Sequence, residues 1–122
     1  MKMIGFVLTK DTRRARKFYE KTLGFGFVYE DQFALVMKTD ENWIPISPVE
    51  DFTPAGHTVM GWEVTQIERL ASQLKERGVA FEKYPWLKHD EQGIWSAPSG
   101  DRVAWFKDPD GNVLSISEHG VG

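Results

Sequence analysis

Few residues in this chain have the types and spacings that chemistry requires. There is no cysteine, which excludes disulfides, thiolate metal ligands and a cysteine nucleophile. His57 stands two residues before Val59, so on an extended chain the two share a face. It reads as a metal ligand or general base, or as a histidine at a strand end beside a loop. His89, Asp90 and Glu91 stand together just before Gly93, Ile94 and Trp95. Adjacent residues of an extended chain point opposite ways, so these three cannot all hold one ion. The segment reads as a loop in which Asp90 or Glu91 turns toward a ligand. Glu118 and His119 close the last apolar run, where fraying and solvation are the default. The rings are more conspicuous: 5 Trp, 8 Phe and 3 Tyr in 122 residues serve either a core or an apolar ligand cup.

Composition narrows the classes. Hydrophobic residues at 41% and charged residues at 27% are ordinary globular usage and exclude a disordered chain. A chain of this length forms one domain and buries roughly two thirds of its unfolded surface. With 15 basic and 18 acidic side chains the net charge is −3, so no general positive field attracts a phosphate backbone, and no nucleic-acid partner is expected. The densest basic cluster, Arg13, Arg14, Arg16 and Lys17, reads as a solvated helix face or as a guide for an anionic ligand. No apolar run approaches the roughly 20 residues that span a bilayer, and no signal-type segment opens the sequence, so no membrane partner and a cytoplasmic location are expected.

The elements that must position these residues follow from periodicity. Met3 to Thr9 is β-rich; Asp11 or Thr12 then caps a helix whose apolar stripe is Ala15, Phe18, Tyr19 and Leu23, and Gly24 stops it. Phe25 to Tyr29, Phe33 to Met37 and Trp43 to Ile46 read as strands. A proline-bearing stretch over 48–57 is the linker. The pattern then restarts: Thr58 to Val64 as a strand, Ile67 to Arg77 as a helix with Leu70, Ala71 and Leu74 on one face, and Gly78 as its stop. Val79 to Lys83, Gly93 to Ser96, Arg102 to Phe106 and Val113 to Ser117 supply further strands. Met3-Ile-Gly-Phe-Val-Leu-Thr matches Val59-Met-Gly-Trp-Glu-Val-Thr at an offset that also pairs Ala15 with Ala71 and Phe18 with Leu74. The halves, about 1–47 and 58–119, read as a duplication within a single domain, each running strand, helix, three strands.

On these residues the chain resembles the vicinal oxygen chelate superfamily of glyoxalase I, extradiol dioxygenases, fosfomycin-modifying enzymes and bleomycin-resistance proteins. The likeness covers nearly the whole chain. It is carried by Asp11 with Ala15, Phe18-Tyr19, Leu23-Gly24-Phe25, Ile67-Glu68, Arg77 to Phe81 and, above all, Phe106-Lys-Asp-Pro-Asp-Gly-Asn112. The last motif specifies a tight turn, with Pro109 presetting φ, the aspartates accepting local N–H groups and Gly111 free to take positive φ. The resemblance implies an α+β fold in which two paired βαβββ modules form an open, cup-shaped mixed sheet with helices on the outer face, often completed in a homodimer.

In the family's enzymes a divalent ion sits in the cup and chelates substrate oxygens. Carried over residue by residue, its ligand positions fall here on Ile4, Pro45, Val59 and Ser115, and shifting each count by one residue restores no donor set. The expectation is therefore no metal and no cofactor, a divalent ion being the disfavoured alternative. The family's ligand positions also define the cup side, which by alternation carries Ile4, Phe6, Val59, Gly61, Glu63, Val113, Ser115 and Ser117. Glu63 is an acid on an otherwise apolar wall, suited to proton transfer or held as a structural acid. Phe6, Trp43, Val59, Trp95, Trp105 and Ser115 are the candidate ligand contacts. The function this suggests is a metal-free binder of a small, partly apolar or aromatic molecule. The alternative is a lyase, isomerase or dioxygenase using a non-standard metal site around His57 and Glu63, or acid/base chemistry by Glu63 and His57.

Overall fold

A computed structural model describes Met1 and residues 3–120. The chain divides into two compact units, one comprising the residues up to Ala55 together with Asp108–Asn112, the other Gly56–Lys107 together with the chain from Val113 on.

In the first unit, Val7–Thr9 forms β1, Thr12–Lys17 α1, Gly26–Glu30 β2, Leu35–Lys38 β3 and Trp43–Pro48 β4. The sheet order is β1-β4-β3-β2, with β1 parallel to β4 and the other pairs antiparallel. Asp11 caps α1, its carboxylate accepting the Arg14 N–H at 3.1 Å. The expected helix through Leu23 is α-helical only to Lys17. Phe18–Thr22 continues it as a π-helical turn, closed by Leu23 N–H donating to the Phe18 carbonyl at 3.0 Å, and Gly24 follows at φ +79°. Ala15 and Tyr19 are buried, whereas Phe18 and Leu23 are half-buried. The strand expected from Met3 begins only at Val7, Ile4 making a single parallel bridge to Trp43. That expected from Phe33 begins at Leu35, because the Asp31 carboxylate captures the N–H groups of Phe33 and Ala34. Val7, Leu35, Met37, Ile44 and Ile46 fill the core with Ala15, Tyr19 and Phe25.

The Asp108–Asn112 turn belongs to this unit by its contacts. Gly111 takes φ +90°, and Asp108 N–H donates to the Asn112 carbonyl at 3.0 Å. The buried Asp108 carboxylate accepts four bonds: Asp110 N–H and Asn112 N–H on Oδ1, and Tyr19 O–H (2.7 Å) and Asn112 Nδ2 (2.9 Å) on Oδ2. Burial, and then the neighbouring Asp108 charge, push the Tyr19 phenol well above the ordinary tyrosine range. Asp110 accepts Thr9 O–H, Lys10 N–H and Arg14 Nη2, the last at 2.7 Å. Of the basic cluster, Arg14 is thus tied to Asp110, and Arg16 lies 3.8 Å over the Phe27 ring and 3.6 Å from Glu20.

In the second unit, Thr58–Glu63 forms β5, Ile67–Glu76 α2, Phe81–Glu82 β6, Trp95–Ser96 β7, Arg102–Lys107 β8 and Val113–Glu118 β9. The order is β5-β9-β8-β6, and β7 pairs with β8 as a short addition to the module's strands. Helix α2 buries Ile67, Ala71 and Leu74, with Leu70 only half-buried. Glu118, expected to fray, instead caps α2, its carboxylate accepting the N–H groups of Gln66 at 2.9 Å and Ile67 at 3.4 Å. Arg102 pairs with Glu68 of the same helix. Among the described residues no helix is long and apolar enough to cross a membrane.

Candidate functional site

Strand alternation puts Ala104 and Phe106 of β8 in the core of the second unit and turns Val103, Trp105 and Lys107 to the opposite face. Register builds that face outward. Trp105 lies opposite Ser115, and Ser115 opposite Gly61; Val103 lies opposite Ser117, and Ser117 opposite Glu63. On the other side of β8, Trp95 pairs with Val103 and Glu82 with Trp105. Gly61 leaves room here for Ser115 Oγ, which a Cβ at that position would displace. The middle of the face is therefore low and hydroxyl-bearing.

One end is a wall of rings. Trp95 and Trp105 stand 6.1 Å apart, Tyr84 meets Trp105 edge-on at 5.4 Å, and Trp86 stacks on Tyr84 at 5.1 Å with 22° between planes. His89 completes the group, 6.0 Å from Trp105 and 6.1 Å from Tyr84. Trp86 remains 75% exposed. Tyr84, Trp86 and His89 do not emerge as ring partners from sequence reasoning. Their signal is the density of rings in Tyr84-Pro-Trp86, in a stretch without periodicity. Burial and the Glu82 charge raise the Tyr84 phenol above its ordinary value, with Lys107, itself 3.5 Å from Glu82, opposing them.

The structure brings Trp95, Trp105 and Ser115 onto this one face but treats the other candidates differently. Val59 falls in a register shift between Thr58 and Met60, so the alternation that aligned it with His57 and Gly61 is interrupted there. His57 lies in an exposed bend before β5. Glu63, expected on a desolvating apolar wall, is exposed at the end of β5. Phe6 and Trp43 belong to the first unit, where they are 71% and 48% exposed, and Trp43 meets Tyr29 edge-on at 6.5 Å. A depression of about 350 Å³ beside Trp43 is lined otherwise by Lys38 at the end of β3 and by the polar turn residues Thr39, Asp40 and Glu41.

A divalent ion needs several carboxylate or imidazole donors. Ile4, Pro45 and Val59 offer none and Ser115 only a hydroxyl, and among the described residues no three His, Asp or Glu side chains group to hold an ion. This donor set does not fit the metal of the enzymes.

The family model for the Glyoxalase/Bleomycin resistance protein/Dioxygenase superfamily matches residues 3–116, and the chain belongs to that superfamily. No curated protein matches it. Among solved structures it is similar to a member of the same superfamily from Sphaerobacter thermophilus DSM 20745, at 25% identity and TM-score 0.77, covering 98% of this chain and 97% of that one. A bleomycin resistance determinant encoded on the transposon Tn5 gives 17% identity and TM-score 0.78 over 99% of each chain. TnmS3, an antibiotic binding protein from Streptomyces sp. CB03234, gives 21% and 0.72 over 98% of this chain and 96% of that one. At these identities the last two show the shared α+β fold.

Proposed function

We propose that the protein binds a small, partly apolar or aromatic molecule against the Trp95–Trp105 face, without a divalent metal. The observation that carries this reading is the cluster of Tyr84, Trp86, His89, Trp95 and Trp105 on one sheet face, with Trp86 left 75% exposed. Tyr84, His89, Trp95 and Trp105 are half-buried and Trp86 is exposed, so ring faces remain on which a ligand can stack, and each aromatic pair formed with a ligand contributes about 0.5–1.5 kcal/mol beyond its buried area. The low floor at Gly61 and Ser115 gives a flat molecule room beside the wall, and the serine hydroxyls supply orienting hydrogen bonds. The likeness to a bleomycin resistance determinant and an antibiotic binding protein supports the same reading.

The test is a titration followed by tryptophan fluorescence and calorimetry, using bleomycin and a panel of planar aromatic compounds, with and without chelator. Saturable binding insensitive to chelator and weakened at least about tenfold by Trp105→Ala is the expected result. A stoichiometric metal required for binding overturns the metal-free reading. Turnover of a bound compound, abolished by His57→Ala or Glu63→Gln, replaces it with an enzyme. Exposed Ile4, Phe6, Leu8 and Trp43 support a homodimeric assembly, which sedimentation at micromolar protein checks.

A further inference from the structure

We infer that His89 is a positioning residue that fixes the aromatic wall in one geometry and thereby selects flat aromatic molecules over puckered ones; the selectivity rests on the binding reading above. The imidazole spans its own loop. Its Nε2 lies 2.9 Å from the Tyr84 N–H and accepts from it, which requires a lone pair on that nitrogen. The ring proton therefore sits on Nδ1, which lies 2.7 Å from the Gly93 carbonyl oxygen and donates to it. The two bonds fix a single neutral tautomer and leave neither nitrogen for an ion or for proton transfer to a ligand.

What they join matters more than their number. Tyr84 lies near the start of the loop and Gly93 near its end, so one side chain ties the two ends together. Both ends lead into the wall: Tyr84 carries its own ring, and Gly93 is two residues from Trp95, whose backbone forms an antiparallel bridge with His89. The imidazole also lies against Trp105, at 76° to its plane, and against Tyr84 at 51°. The far end is fixed independently. Gly93 takes φ +93°, a Cβ there would sit 2.9 Å from Phe81 Cβ, and the Asp90 carboxylate accepts the N–H groups of Gln92 and Ile94 at 2.9 Å. Moving His89 therefore moves Tyr84 and Trp86 relative to a Trp95–Trp105 pair that stays in the sheet.

Three variants separate positioning from bulk. His89→Gln keeps an acceptor near the Nε2 position, His89→Asn keeps a donor near Nδ1, and His89→Ala removes both. In ¹⁵N-histidine-labelled protein, long-range ¹H–¹⁵N correlations are expected to show the Nδ1–H tautomer. In ligand-free protein, His89→Ala should change the part of the near-ultraviolet circular dichroism that Tyr84 and Trp86 contribute, with its far-ultraviolet spectrum unchanged. Affinities are then compared for 2-naphthoate and its puckered analogue decahydro-2-naphthoate. Preference for the flat probe should fall about fivefold in His89→Ala, with the Gln and Asn variants intermediate; if the alanine variant does not fold, those two carry the test. An Nε2–H tautomer, or an unchanged near-ultraviolet signal in His89→Ala, refutes positioning whatever the ligand result. If neither probe binds the parent protein, the selectivity claim falls with the binding reading, and the tautomer and dichroism still decide positioning.

Discussion

Replacing Tyr19 by Phe removes one oxygen from the core and nothing else. The ring stays in place, so its edge contact with Phe18 at 5.3 Å and its tilted contact with Phe25 at 5.7 Å persist and no cavity opens. What is lost is the 2.7 Å bond from the phenol to Asp108 Oδ2, whose acceptor is a buried carboxylate. Asp108 retains three of its four donors, Asp110 N–H, Asn112 N–H and Asn112 Nδ2. A hydrogen bond to a charged group contributes about 1.5–3 kcal/mol, so a loss of about 2 kcal/mol is expected. With an unfolding entropy of about 2.1 cal/mol/K per residue, that lowers Tm by about 8 °C for a chain of this length. Urea and thermal unfolding at fixed protein concentration measure it, and a double-mutant cycle with Asp108→Asn should return a coupling of at least about 1 kcal/mol. A Tyr19→Phe protein within about 0.5 kcal/mol of the parent, with no coupling, would refute the assignment of this bond as a stabilising one.

Other expectations follow from the same contacts. Because the Tyr19 phenol is raised in the folded state, its contribution is complete below the ordinary tyrosine value of about 10 and is lost as pH rises above it. Parent stability should therefore fall above about pH 10, and Tyr19→Phe should flatten that slope, as urea midpoints across pH 8–11 will show. Gly61→Ala forces Ser115 Oγ aside, at a cost of about 1 kcal/mol, and Ser115→Ala in the same background should recover most of it by thermal unfolding. Glu118→Gln weakens the cap on α2 and should raise amide exchange selectively at Gln66 and Ile67. Adding zinc or chelator should leave both Tm and probe affinity unchanged, as differential scanning fluorimetry and titration will report.

Features determined by neighbouring residues were legible in the sequence. The Asp11 cap, the glycine stops at Gly24 and Gly78 and the Asp108–Asn112 turn each act over a few bonds, and the family likeness assembled them into two modules. Trp95 and Trp105 were legible as large rings of a wall or a core, but that they share a face follows only from the pairing of Trp95 with Val103, two residues from Trp105 on β8. Where alternation breaks, inference broke with it: the register shift after Thr58 removed the face argued for Val59 and His57. The π-helical turn at Phe18–Thr22 has no local marker. The partner of Tyr19 lies 89 residues away, and the cap on Gln66 comes from Glu118, 52 residues on. Side chains that meet across such separations leave no periodicity to read. The rings of Tyr84 and Trp86 stayed hidden because their loop carries neither period, so nothing local says which way they turn.

The turn at Asp108–Asn112 also bears on where this chain can be cut. Its residues are contributed by the second half of the sequence, yet they satisfy Tyr19, Thr9 and Arg14 and cradle the Leu8 carbonyl through Asn112 Nδ2. A fragment ending at Ala55 would contain every strand and helix of the first repeat and still lack five residues it needs. The first half is therefore a complete unit by secondary structure and a dependent one by its hydrogen bonds.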